Sequence, residues 1–391
     1  MNQRQRLFAV LRGEPVDRIP VNFYEIGGIR MDPCDPDPFN VYNDPSWKPL
    51  IELAENHTDL IRMRSAVRAN SHESWDGPLA SAESVRSLFF NTEHSLEDDT
   101  RLTRLTVRVA DATLTSLTKR HKDVDTIWTV EPLLKNTDDL RAYLQIPDEA
   151  FAENVEVSGM IREEAALGDR GIVMVDTEDP LCAAATLFSM EDFTIIAMTE
   201  QTLFHRLLEK CARFIHARTE KVAREFPGRL WRIYGPEFAC QPYLPPKLFD
   251  EYVVRYTGPM VDMIHAHQGF VRIHCHGRVR AVLESIVRMG ADAIDPVEPP
   301  PNGDVDLADV RRQYGKDLVC FGNIEVADIE NLTPADFEKV VGQTLQKAVC
   351  CPGKGFVLMP SASPYGRRIS ENTLANYRLL VDKVADFRQH C

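Results

Sequence analysis

Phe270-Val-Arg-Ile-His274-Cys275-His276-Gly277, followed by a helical pattern over 278–288, decides the architecture of this 391-residue chain. A short apolar run stopped by glycine and then an amphipathic segment reads as one strand–helix unit of a parallel sheet. Upstream, residues 172–176 precede a helix through 183–187 and helical segments from about 190 to 225, and residues 230–234 precede a helix from about 246 to 265. Downstream, 293–295 precede a helix at 307–314, 318–321 a helix at 334–349, and 356–359 a last helix from about 370 to 388. Thr333 and Pro334 supply N-cap and first-turn residues for the helix they open. With an earlier strand at 19–23, this alternation predicts a (β/α)8 TIM barrel over 1–391 as a single domain. No GxGxxG or GxxxxGK[ST] follows any of these strands, which argues against a nucleotide-binding doubly wound sheet.

Two segments depart from the alternation. The N-terminal extension contains an amphipathic start at 6–11, a turn at Gly13-Glu14-Pro15 and an Asp- and Pro-dense loop at 32–43. Over about 100–134, Leu105, Val107 and Val109 alternate with polar residues, and the strand-like runs 113–119 and 126–130 follow, which predicts a β-hairpin insertion.

The formal net charge of -14 is spread along the chain and disfavours nucleic acid, whose phosphates require lysine and arginine. No run approaches the roughly 18 apolar residues of a membrane span, and the polar start does not read as a signal peptide. The nine cysteines are scattered without a CxxC pair, which fits reduced thiols in a cytoplasmic protein and not a zinc knuckle.

In a barrel of this kind catalytic side chains lie where strands end. Those ends carry Tyr24 and Glu25, Asp176, Tyr234 and Glu237, His274 and His276, Asp295 and Glu298, Asn323 and Glu325, Ser361, Ser363 and Tyr365. Such a ring of acids and imidazoles is costly to desolvate unless an ion or charged substrate occupies it. Side chains at i and i+2 of a strand share a face, their Cα atoms about 6.5–7 Å apart, so His274 and His276 can converge on one ion. The alternative is a core histidine bonded to a backbone carbonyl. Glu237 offers a third, carboxylate ligand or else pairs with an arginine; Cys240 is a weaker candidate. Cys275 should face away, into the packing between strand and helices. His265 and His267 share the spacing but sit at a helix end, where i and i+2 diverge. Asp295 and Glu298, in a loop stiffened by proline, would act as bases or orient a histidine ring, or simply be solvated. Tyr24, Glu25, Asp176, Tyr234, Asn323, Ser361, Ser363 and Tyr365 would contact substrate.

The segments Arg6-Leu-Phe-Ala-Val-Leu-Arg-Gly-Glu14, Asp17-Arg-Ile-Pro20, Gly290-Ala-Asp-Ala-Ile-Asp295, Phe321-Gly-Asn-Ile324 and Gly355-Phe-Val-Leu358 resemble, in the same order, those of the uroporphyrinogen decarboxylase-like superfamily. The resemblance covers nearly the whole chain and implies a (β/α)8 barrel. The decarboxylases of that superfamily hold a polycarboxylated substrate with arginines after the first strand; here Glu25 stands roughly in that place and would repel it. The corrinoid-dependent methyltransferase branch is more similar. Its thiol-alkylating members bind zinc through His-x-Cys and a later cysteine. His274 matches the histidine, but His276 replaces the cysteine, and no cysteine occurs in Pro360-Ser-Ala-Ser363.

A site of two imidazoles and a carboxylate leaves the ion more electrophilic and suits an ether oxygen better than a thiol. The resemblance therefore implies an O-demethylating methyltransferase. A divalent ion, Zn²⁺, would sit on His274, His276 and Glu237, with Asp295 or Glu298 in support. The methyl group of a methoxylated small molecule would pass to a corrinoid on a separate protein. A decarboxylase or lyase acting on a small carboxylic acid is the alternative, and a homodimer is compatible with either.

Overall fold

The computed structural model describes residues 1–66 and 83–387. In chain order the strands are β1 (Leu60–Arg64), β2 (Phe90–Glu97), β3 (Thr100–Val109), β4 (Ala112–His121), β5 (Ile127–Glu131), β6 (Gly171–Glu178), β7 (Leu230–Tyr234), β8 (Phe270–His274), β9 (Ala293–Asp295), β10 (Val319–Ile324) and β11 (Phe356–Pro360). A curled seven-stranded sheet runs β1-β6-β7-β8-β9-β10-β11, each neighbouring pair parallel. Apolar side chains occupy both of its faces, as a parallel sheet covered on both sides requires. Ile61, Met63, Ile172, Met174, Leu230, Ala293, Val319, Phe321, Val357 and Met359 pack together on the inner side. Val173, Val175, Trp231, Ile233, Val271, Ile273, Ile294 and Leu358 join the larger core shared with the helices.

The six strands expected from 172 onward are all present. The helices between them are more broken than the periodicity suggests. Residues 190–225 form two helices, Met190–Thr199 and Gln201–Glu225, and only Leu283–Arg288 of the expected 278–288 segment is helical. β1 was not anticipated: its arginines, Arg62 and Arg64, alternate with Ile61 and Met63 and pair with Glu55 and Glu163. The eighth position is not a regular strand. Residues 19–23 make a single parallel bridge, Val21 to Leu358, and the Val21 carbonyl accepts a 2.7 Å hydrogen bond from the Asp59 N–H on the other side.

The N-terminal helix, Gln3–Arg12, is opened by Asn2, whose side chain accepts from the Gln5 N–H. The motif residues after it lock the chain at the foot of the sheet. Asp59, fully buried, accepts from Arg6 at 2.6 Å, from Arg18 at 2.8 Å and from the Val21 N–H at 2.9 Å. Arg6 also holds Asp17 at 2.7 Å.

The insertion is a four-stranded antiparallel sheet in the order β2-β3-β4-β5, larger than a hairpin and beginning at Phe90. Its β4–β5 turn docks beside the last strand-end loop: Val124 bridges Gly366 and the Asp125 N–H donates to the Tyr365 carbonyl at 2.8 Å. Asp125 also accepts from Tyr42 Oη, and Arg367 reaches Asp123 at 3.0 Å, so the Asp- and Pro-rich loop is tied in as well. One wall of the mouth is thus built from three distant stretches of sequence.

Replacing Asp59 by alanine strands Arg6 with half of its charge compensation. It should lower unfolding stability by about 3–5 kcal/mol, measured as a shift of the urea midpoint at unchanged slope.

Candidate functional site

The site lies at the carboxyl ends of β6 to β11. Strand register fixes its layers, because side chains paired in adjacent parallel strands point the same way. The partners Asp176↔Arg232↔Arg272 form a lower layer, and Glu178↔Tyr234↔His274↔Asp295 an upper one.

His274 is buried, and its Nδ1 lies 2.7 Å from Asp295 Oδ2. Asp295 is fully buried, and its other oxygen meets Arg272 Nε at 3.0 Å. His276 follows the strand, 39 % exposed, with Nδ1 2.9 Å from Glu298 Oε1; Glu298 Oε2 accepts from the Gly277 N–H at 2.7 Å. The two rings stand 4.5 Å apart between centroids and at 89°. Both Nδ1 atoms face carboxylates, so Nδ1 carries the proton and Nε2 is left with its lone pair when the ring is neutral. No hydrogen bond engages Nε2 of either ring among the described residues.

Charge states separate the pair. Burial, reinforced by the Arg232 guanidinium, pushes His274 down to about 3, so its ring is neutral near pH 7. Burial also works against charge on His276, but the Glu298 hydrogen bond and carboxylate outweigh it and raise its pKa. Burial opposes ionisation of Asp295 as well, yet Arg272 and His274 hold it well below the usual carboxylate range.

Glu237 sits in the turn after β7, where Gly235 adopts φ 117° and a Cβ would lie 2.3 Å from that of Cys182. The Glu237 carboxylate folds back to accept from the Gly235 N–H at 3.1 Å; burial raises its pKa, and His276 partly offsets this. The three ligands expected for one ion thus share a neighbourhood. Among the described residues, however, no group of three His, Cys, Asp or Glu side chains is gathered so as to hold a metal. His274 and His276 form the pair that is ready, and Glu237 would have to leave the Gly235 N–H to join it.

The expected substrate contacts divide. Tyr24, buried with φ 58°, stacks on His274 at 6.0 Å. Burial raises Glu25, partly relieved by Arg232 and Ser363, and raises Asp176, partly relieved by Arg232 at 3.2 Å. Tyr234 reaches Glu178 at 3.4 Å. Asn323, after the cis Gly322–Asn323 peptide, donates to the Val297 carbonyl at 3.1 Å, so part of its amide is spent on the fold. Ser361 accepts from the Val326 N–H at 3.2 Å and lies 3.4 Å from Glu325. Ser363 is buried beside Glu25, whereas Tyr365 is exposed and tied to the insertion by its carbonyl.

Cys275 is buried in the outer core, as expected, with its Sγ 3.5 Å from that of Cys240, so Cys240 faces packing as well. His265 and His267 pair with Asp292 and Glu220, away from the site.

Sequence reasoning passed over Arg232, Arg272, Glu178 and Arg218. The signal for the first two was a charged residue at the same place in two otherwise apolar runs, Leu230-Trp-Arg-Ile-Tyr and Phe270-Val-Arg-Ile-His. Arg218, from the helix Gln201–Glu225, reaches Glu178 and Glu153 at 2.6 Å each.

A parallel α/β fold with its polar residues gathered at the carboxyl strand ends is the class of protein that these observations define. The family model described as Uroporphyrinogen decarboxylase (URO-D) matches residues 124–382, and the chain belongs to that family. A methyltransferase from Methanosarcina mazei is similar in structure, with a TM-score of 0.60 over 99% of each chain at 13% identity. None of the curated proteins matches the chain.

Burial raises Glu153 to about 7 despite the Arg218 beside it. A carboxyl with a raised folded pKa contributes stability below its unfolded value, and this is lost as pH rises through the folded one. Glu153→Gln should therefore flatten the fall in stability between about pH 4.5 and 7, followed by urea titrations across that range.

Proposed function

We propose that the protein is a methyltransferase that takes a methyl group from a methoxylated small molecule and passes it to a reduced corrinoid on a separate protein. The observation that carries this reading is the orthogonal imidazole pair at the end of β8, each Nδ1 held by its own carboxylate and each Nε2 open. Histidines that hold a divalent ion are usually oriented in this way, the other ring nitrogen donating to a carboxylate. His274 and His276 would hold it with Glu237, and none of the three is a thiolate. When bound, the ion would supply Lewis-acid stabilisation of negative charge developing on oxygen.

The chain's own residues do the rest. Asp295 fixes the His274 ring by accepting its Nδ1 proton in a hydrogen bond, and Glu298 does the same for His276. Tyr24 covers one face of His274 and shields it from water. Glu298, tied to the Gly277 N–H, also holds the turn that carries His276. Methyl transfer breaks the C–O bond with its electron pair leaving on oxygen, and the acceptor nucleophile gains the methyl group. The oxygen can then take a proton from solvent at the open mouth.

Purified protein should contain close to one equivalent of zinc or a similar divalent ion and should demethylate a methoxylated compound when supplied with cob(I)alamin. His274→Ala should abolish both. If that variant transfers methyl groups at the rate of the parent, the reading fails. Glu298→Gln, which keeps size but removes charge, should weaken metal binding by about 10–100-fold with little effect on melting temperature, measured by competition with a chromophoric chelator.

A second reading, a lyase acting on a small carboxylic acid, draws support from family membership and from two arginines inside the sheet. Release of CO₂ without methyl transfer would distinguish it.

A further inference from the structure

Arg232 and Arg272 are cross-strand neighbours on β7 and β8, so two guanidinium groups lie side by side on the inner face. Both are buried, with exposures of 8 % and 1 %. Their acceptors are scarce. Arg232 makes no hydrogen bond among the described residues: it meets Asp176 at 3.2 Å without an aligned N–H and lies between the rings of Tyr24 and Tyr234, 5.2 Å from each. Arg272 lies over Phe321, meets Asp295 as an unaligned ion pair and, among the described residues, donates only to Met359 Sδ at 3.8 Å. Nε of Arg232 and both Nε and Nη2 of Arg272 are buried without a hydrogen-bond partner among the described residues.

Buried polar groups are almost always satisfied, and a desolvated guanidinium without acceptors is expensive. Two in adjacent strands, at the level just below His274, indicate that the missing acceptors arrive with a ligand. Asp176 is the most exposed side chain of this layer, at 24%.

We infer that the Arg232–Arg272 pair is an oxyanion subsite that binds a carboxylate carried by the substrate. A guanidinium fork matches a carboxylate in two parallel hydrogen bonds. Charge favours a carboxylate over a phosphate. The two guanidiniums already face the acids Asp176 and Asp295, so a monoanion adds one negative charge to this cluster and a phosphate dianion adds two. The Tyr24 and Tyr234 rings that flank Arg232 would give an aromatic or planar acid its walls. The assignment rests on the methyl-transfer reading only in making the bound acid the methyl donor: its carboxylate would sit in the lower layer while its methoxy group faces the histidines above.

The test is binding without turnover, so that it can fail independently of the proposed activity. The full-length protein is titrated calorimetrically with 2-, 3- and 4-methoxybenzoate, with the matching methoxybenzamides and with inorganic phosphate, in the absence of any corrinoid. At least one acid should bind, its amide about ten- to a hundredfold more weakly, and phosphate should not displace it. Arg232→Gln should bring the acid down to the affinity of its amide, and Arg232→Lys should restore part of the difference. Arg272→Met, which keeps the volume and removes the charge, should erase the preference for acid over amide even if Arg232→Gln folds poorly. Equal binding of acids and amides, no binding of any acid, displacement by phosphate, or unchanged acid affinity in a folded Arg232→Gln protein would each overturn the assignment. An acid that binds but is never demethylated would overturn the proposed function and leave the subsite standing.

Discussion

One carboxylate organises this site. Asp295 has no exposure, yet its two oxygens serve the imidazole of His274 and the guanidinium of Arg272. Its backbone carbonyl also receives the Cys275 N–H at 2.9 Å, which sets the course of the chain between the histidines. β9 is only three residues long, so Asp295 owes its position to register with β8 and to the sheet beyond it. Desolvating this charge is costly. The two partners that repay the cost are the residues that need orientation, one on the upper layer and one on the lower.

From that point the site divides into levels with different electrostatics. The lower level holds Asp176 and the two guanidiniums, with Asp295 meeting Arg272 from the level above, and few of its polar atoms are hydrogen-bonded among the described residues. The upper level holds the imidazoles and the carboxylates Glu178, Glu237 and Glu298, where water still reaches His276. The rim is built by the insertion and the Asp- and Pro-rich loop, which bring Asp125 and Tyr42 into the field of Glu25. A ligand entering from the mouth would pass an acidic rim before it met the arginines. Burial at Glu25 and Asp176 favours their protonated forms and would weaken that barrier.

The histidine pair, its carboxylate supports and Glu237 were legible because each lies at the end of a short apolar run, and strand ends are local features of sequence. The outward orientation of Cys275 and the separation of His265 and His267 from the site followed from the same local periodicities. Arg232 and Arg272 were passed over although they interrupt apolar strands, because attention to strand ends leaves the middle of a strand to the core. Glu178 was missed because β6 continues two residues beyond its apolar run. β1 was missed because its arginines dilute the apolar signal, and the eighth position was read as a strand where the chain makes one bridge.

The sequence by itself determined the alternation of strand and helix, the family motifs and the residue types at each strand end, all set by periodicities of a few residues. Tertiary structure decided which of those residues meet. The pairing of Asp295 with both His274 and Arg272, the placing of Arg232 opposite Arg272, the turning of Glu237 toward the Gly235 N–H and the docking of the insertion all depend on strand register and sheet curvature. Those are properties of contacts between distant segments, and no local window of sequence encodes them.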